Sequence, residues 1–178
     1  MSVNKQWPLI KQGLTILLNT PNVKFLLQNP AHFFALGFGS GLAPKAPGTF
    51  GTLVGLPLFL LISPYNHLLQ LIMIAVLFFV GITFCDVTGK NIGVADHGSI
   101  VWDEIVAMML VLVFTPLAAA WWLVAFLLFR LFDIWKPFPV CYADAHFKNG
   151  FGVMFDDLLA AIYAILCIRF IAWPLSQL

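Results

Sequence analysis

Residues 96–108 read DHGSIVWDEIVAM. Three carboxylates, Asp96, Asp103 and Glu104, stand at the mouth of an uncharged apolar run that continues to residue 129. Ionised side chains are costly at the edge of hydrocarbon unless they have a partner or a task. Acids are also favoured at a helix N-terminus, the positive end of the backbone dipole, and that alone would account for Asp103 and Glu104. It does not account for the recurrence of the pattern. Asp156 and Asp157 precede another apolar run in the same way, and Asp133 closes one.

The composition bounds the class. Of 178 residues, 61% are hydrophobic and 10% charged, and the mean hydropathy is +0.95. Soluble domains carry about 25% charged residues, so the chain reads as an integral membrane protein. One domain, 1–178, is the natural count at this length, with residues 1–32 as an N-terminal surface extension. A net charge of +1 supplies no field that would recruit nucleic acid. Cys85, Cys141 and Cys167 form no CxxC pair and read as packing residues. No apolar segment followed by a small-residue cleavage site is read near the start, so no signal peptide is expected.

Residues 1–32 place Lys5, Lys11 and Lys24 among leucines and phenylalanines, which suits a short amphipathic helix at the membrane surface, interrupted near residues 19–21. Residues 37–52, GFGSGLAPKAPGTFGT, read as an irregular loop. Its glycines would let backbone N–H groups approach an anion, with Ser40, Lys45 and Thr49 as further donors. It is not a Walker A loop: Pro44 replaces the second glycine and Ala46 follows the lysine. A plain turn before a membrane helix is the competing reading.

The sequence then predicts helices over 51–63 and 67–85, separated by Pro64, Tyr65 and Asn66. Residues 86–103 are polar. Thr115-Pro116 divides the apolar run 105–129 into two short helices. Arg130 and Asp133 are three apart and share a helix face. Residues 134–157 read as a polar segment with a glycine-rich turn, NGFGV, before a last apolar run over 158–173. The expected count is five crossings. The lysines and arginines before and between these runs put the N-terminus and both acid-rich loops on the cytoplasmic side. All eight acidic residues fall on that side.

The inner loops thus gather Lys45, the acids at 96, 103, 104, 133, 156 and 157, and the cations Arg130 and Lys136. Clustered carboxylates suit Mg²⁺, which shares its shell with phosphate oxygens and water. Cations beside them suit a phosphate in transfer or hydrolysis. No serine or cysteine has an evident base partner. A small transporter or channel is the alternative, since intramembrane acids also mark ion paths. The acids, however, sit at helix ends and the helix centres are clean.

Four segments, GFGSGLAPKAPGTFGTL, DHGSIVWDEIVAM, FRLFDIWKPFPV and GFGVMFDDLLAAIYA, together resemble the phosphatidylglycerophosphatase A family, from about residue 32 to residue 165. The resemblance implies an all-α, polytopic membrane bundle of the bacterial inner membrane. It implies a cytoplasm-facing site that dephosphorylates phosphatidylglycerophosphate to phosphatidylglycerol with Mg²⁺. Residue by residue, it implies chemistry at Asp96, Asp103, Glu104, Asp133 and Asp156. It implies substrate contacts from Lys45, Thr49, Arg130 and Lys136, with Ser40 added from the loop composition. The metal ligands would come from Asp103, Glu104, Asp156 and Asp157. Ala107 stands where the family usually has glycine. Adjacent acids on a regular helix point about 100° apart, so one acid of each pair is expected at the metal and the other at a neighbouring group. Attack by water and an aspartyl-phosphate intermediate both stay open.

Overall fold

The computed structural model describes residues 20–175. The amphipathic helix expected around Lys5 and Lys11 lies outside them. The described chain is all-helical. Asn22 accepts a hydrogen bond from the Phe25 amide at 3.0 Å and caps α1, Val23–Gln28. Asn29 does the same for Ala31 at 2.9 Å, and with Pro30 in the first position it starts α2, Pro30–Ala35. A short 3₁₀ segment, Gly37–Leu42, follows.

Next come α3 (Pro47–Ile62), α4 (His67–Ile92), α5 (Trp102–Val113), α6 (Ala119–Trp135), α7 (Val140–His146) and α8 (Gly150–Leu175). The break between α5 and α6 falls at Thr115-Pro116, as the sequence reads. The Thr115 hydroxyl donates to the Val111 carbonyl at 2.8 Å, and Pro116 ends the run.

Three boundaries differ from the sequence reading, each for a local reason. First, α3 starts at Pro47 rather than residue 51, because Ala46 takes a left-handed conformation (φ 48°) and Pro47 opens the helix. The second half of the expected loop, including Thr49, is therefore helical. Second, α4 continues past Cys85 to Ile92, where Gly93 (φ +88°) stops it. Asp86 and Lys90 pair across one turn of this extension at 2.5 Å. Third, α8 begins at Gly150, eight residues before the expected start. The glycines of NGFGV let the helix pack closely: a Cβ at Gly150 would collide with the Ile82 carbonyl, and one at Gly152 with that of Phe147. Asn149 caps the helix by accepting from the Gly152 amide at 2.9 Å. Asp156 and Asp157 consequently lie inside a helix rather than at its mouth.

The centre of the bundle is α5, in which ten of twelve residues are buried. It packs against α3, α4, α6 and α8. A stripe of Gly48, Gly51 and Gly55 on α3 brings its backbone against α5. A Cβ at Gly55 would lie 2.9 Å from the Ile105 carbonyl. Small residues at this spacing are how helices approach closely in a membrane.

Two helices among the described residues, His67–Ile92 and Gly150–Ala172, are long and apolar enough to cross a bilayer. Only 22% of the α4 span is buried in the protein, while Leu68, Ile72, Val76 and Phe79 face outward. A soluble core helix would hide these side chains. By contrast α3, with sixteen residues, and α5, with twelve, fall short of the roughly 20 that a typical span needs. Helix length and composition thus mark two candidate spans among the described residues, where the apolar runs predict five crossings.

Candidate active site

Asp103 and Glu104 occupy the second and third positions of α5, and Asp157 projects from α8. The chain between α4 and α5 brings the first pair in; the early start of α8 carries Asp157 to the same level. One oxygen from each of the three carboxylates lies within 4.8 Å of the others. All three carry a buried oxygen with no hydrogen-bond partner: Oδ1 of Asp103, Oε2 of Glu104 and Oδ2 of Asp157. Unpartnered carboxylates this deeply placed demand a proton or a cation. An all-oxygen, multiply charged donor set fits a hard divalent ion such as Mg²⁺.

Two cations flank the acids. Arg130 lies 3.6 Å from Glu104 and makes a close ion pair with Asp133, one turn along α6. Asp133 is also within hydrogen-bond reach of Asp157. Lys136, in a left-handed conformation (φ 47°) at the end of α6, bonds Asp156 at 2.8 Å and Asp144 at 2.9 Å. Partial burial alone would lower the Lys136 pKa. The two carboxylates outweigh that effect and raise it, so the side chain stays a cation.

The glycine segment meets this cluster through its helix. A Cβ on Gly48 would collide with Oε1 of Glu104 and sit 3.1 Å from Nη1 of Arg130. Sequence reasoning passed over Gly48 and Asp144. Gly48 was visible as one member of the P-G-T-F-G-T stripe. Asp144 had no local signal, because its role depends on the turn that folds α7 back toward Lys136.

The expected site residues thus separate into groups. Asp103, Glu104 and Asp157 form the acid cluster, with Arg130 and Asp133 against it. Asp156, expected among the metal ligands, pairs with Lys136 through Oδ2. Asp103 and Glu104 both contribute an oxygen to the cluster from the first turn of α5, the one place where adjacent acids can face a common point. Asp96 is exposed in the loop before α5. Lys45 is exposed and forms no ion pair with the described residues, and Thr49 sits in the first turn of α3. The Ser40 hydroxyl is engaged within its own turn, donating to the Gly37 carbonyl at 2.8 Å.

The chain matches the family model described as Phosphatidylglycerophosphatase A over residues 33–172. The chain belongs to the phosphatidylglycerophosphatase A family. That segment contains every residue of the cluster. A Haemophilus influenzae protein named Phosphatidylglycerophosphatase A is 50% identical over 152 residues, covering 84% of this chain and 93% of the relative. An Escherichia coli protein of the same name is 39% identical over 157 residues, covering 85% and 90%. A Bacteroides thetaiotaomicron protein, provisionally named a phosphatidylinositol-3-phosphatase, is 36% identical over 151 residues, covering 79% and 92%. All three names are those of lipid phosphatases. No solved structure matches the chain significantly.

Proposed function

We propose that the protein hydrolyses phosphatidylglycerophosphate to phosphatidylglycerol and inorganic phosphate, with Mg²⁺, at the cytoplasmic face of the bacterial inner membrane. The observation that carries this reading is the convergence of three buried carboxylates, each with an unpartnered oxygen, with Arg130 against one of them. The names of the two phosphatidylglycerophosphatase A relatives support the choice of substrate. The placement of lysines and arginines around the apolar runs supports the cytoplasmic face.

Asp103, Glu104 and Asp157 would hold the ion. When bound, Mg²⁺ supplies Lewis acidity that offsets negative charge on the phosphoryl oxygens. The chain's own groups do the rest. Arg130, oriented by Asp133, presents its guanidinium to the phosphate. Lys136, fixed between Asp156 and Asp144, keeps a second positive charge near the site. Lys45 draws the anionic headgroup toward the α3 entrance. Asp96 takes a proton from the attacking water as the new P–O bond forms. The ester P–O bond breaks, and the glycerol oxygen leaves as a hydroxyl, taking the proton that Asp96 received from the water. The acyl chains stay in the bilayer throughout.

Purified protein in detergent micelles should release phosphate from dioleoyl phosphatidylglycerophosphate, stop with EDTA and resume with Mg²⁺. Phosphatidylinositol 3-phosphate is the comparison lipid. Faster release from that lipid, or no release from the first, would reject the substrate assignment.

A further inference from the structure

An apolar groove runs along the bundle between α4, α5 and α8, with a volume of about 320 Å³. On α5 it is lined by Asp103, Val106, Ala107 and Leu110. These positions follow the i, i+3, i+4, i+7 spacing and form one helix face. The acid that belongs to the cluster therefore heads the same stripe that lines the groove. Asp103 is 8% exposed and its Oδ1 has no partner. No other lining residue is charged.

The groove has a direction. Trp102 donates from its indole Nε1 to the Leu77 carbonyl of α4 at 3.2 Å, which sets the acid end beside Phe78. Because α4 and α5 are antiparallel neighbours, Leu71 and Leu110 mark the far end. From Asp103 to Leu110 is about 10 Å along the helix, against roughly 15 Å for one leaflet of hydrocarbon. The outer side is open: Ala75 and Phe79 are exposed.

We propose that this groove holds the upper part of one acyl chain of the phospholipid substrate and so seats the headgroup phosphate against Asp103, Glu104 and Asp157. This rests on the lipid-phosphatase reading above. The choice of occupant follows from continuity. An alkyl chain matches the lining, and only a molecule with a phosphate at one end matches both the groove and the acids at its head. Ordinary membrane lipid would fill the apolar part without engaging the site.

Ala75 is the place to test it, because an exposed alanine can be enlarged into the groove without entering the packed core. The quantity to measure is the ratio of kcat/KM for dioleoyl over dihexanoyl phosphatidylglycerophosphate in the same micelles. The ratio cancels any loss of folded protein. Wild type should favour the long chain, and Ala75→Phe should lower the ratio about tenfold, with Ala75→Leu between them. A wild-type ratio near one, or a ratio in Ala75→Phe equal to wild type, overturns the proposal and leaves the groove to bulk lipid. Absence of phosphate release from either lipid by wild type is a different result, and it strikes the substrate reading itself.

Discussion

Asp156 and Asp157 are neighbours on α8 that face different partners: Asp156 holds Lys136 at 2.8 Å, while Asp157 stands with Asp103 and Glu104. The two should fail differently when neutralised. Asp157→Asn should raise the Mg²⁺ concentration for half-maximal activity by about tenfold or more, because an amide is a weaker ligand for a hard cation. Asp156→Asn should leave that concentration near wild type and lower kcat, since Lys136 loses one of its two carboxylate anchors. Mg²⁺ titrations of phosphate release distinguish the two. Equal shifts in both variants would mean that the acids act as one unit.

Gly48 is the tightest point between α3 and the site. Gly48→Ala should cost activity because its methyl group must displace Glu104 or Arg130. Forcing one methyl into such a contact costs about 1–3 kcal/mol. The protein should still fold, with kcat/KM reduced on the order of tenfold to a hundredfold. Wild-type kinetics would show that Glu104 can move freely and holds nothing in place.

Lys45 is the exposed charge of the glycine segment. Lys45→Ala should raise KM for the lipid by about tenfold, as expected for one lost charge-assisted phosphate contact, with a smaller change in kcat. Unchanged KM would return residues 43–46 to the role of a turn.

Orientation is open to direct test. Reporter fusions after Ala95 and Lys148 should give cytoplasmic signals. Those after Tyr65 and Ala118 should show whether the short helices α3 and α5 also cross. A periplasmic signal after Ala95 would put the acids on the wrong face for a substrate supplied from the cytoplasm.

The helical class was legible from the apolar runs, and the place of Asp103 and Glu104 in the first turn of α5 from the charges that interrupt them. The Arg130 and Asp133 pairing followed from three-residue spacing, and the α5–α6 break from Thr115-Pro116. Boundaries failed where glycines served packing rather than turning. The early start of α8 depends on Gly150 meeting the backbone at Ile82, a contact between segments distant in sequence, and on Gly152 closing against Phe147 just before the helix. Displacement of that boundary moved Asp156 and Asp157 into a helix. There, adjacent residues diverge, and only one reaches the acids on α5. The separation of their roles was thus foreseeable in kind, while which acid faced which partner depended on the rotation of α8 against α5 and α6. Asp144 was hidden for the same reason.

In the proposed reaction Asp103, Glu104 and Asp157 hold the Mg²⁺ on which phosphate release depends. The most direct measurement is Mg²⁺ reactivation of EDTA-treated protein, comparing wild type with Asp103→Asn in the same detergent and with folding checked by helical circular dichroism. Wild type should recover its phosphate release on Mg²⁺ addition. Asp103→Asn should remain folded and recover less than about one hundredth of that rate. If Asp103→Asn recovers near-normal, Mg²⁺-dependent hydrolysis, the acids at the head of α5 are helix-end charges and the metal lies elsewhere.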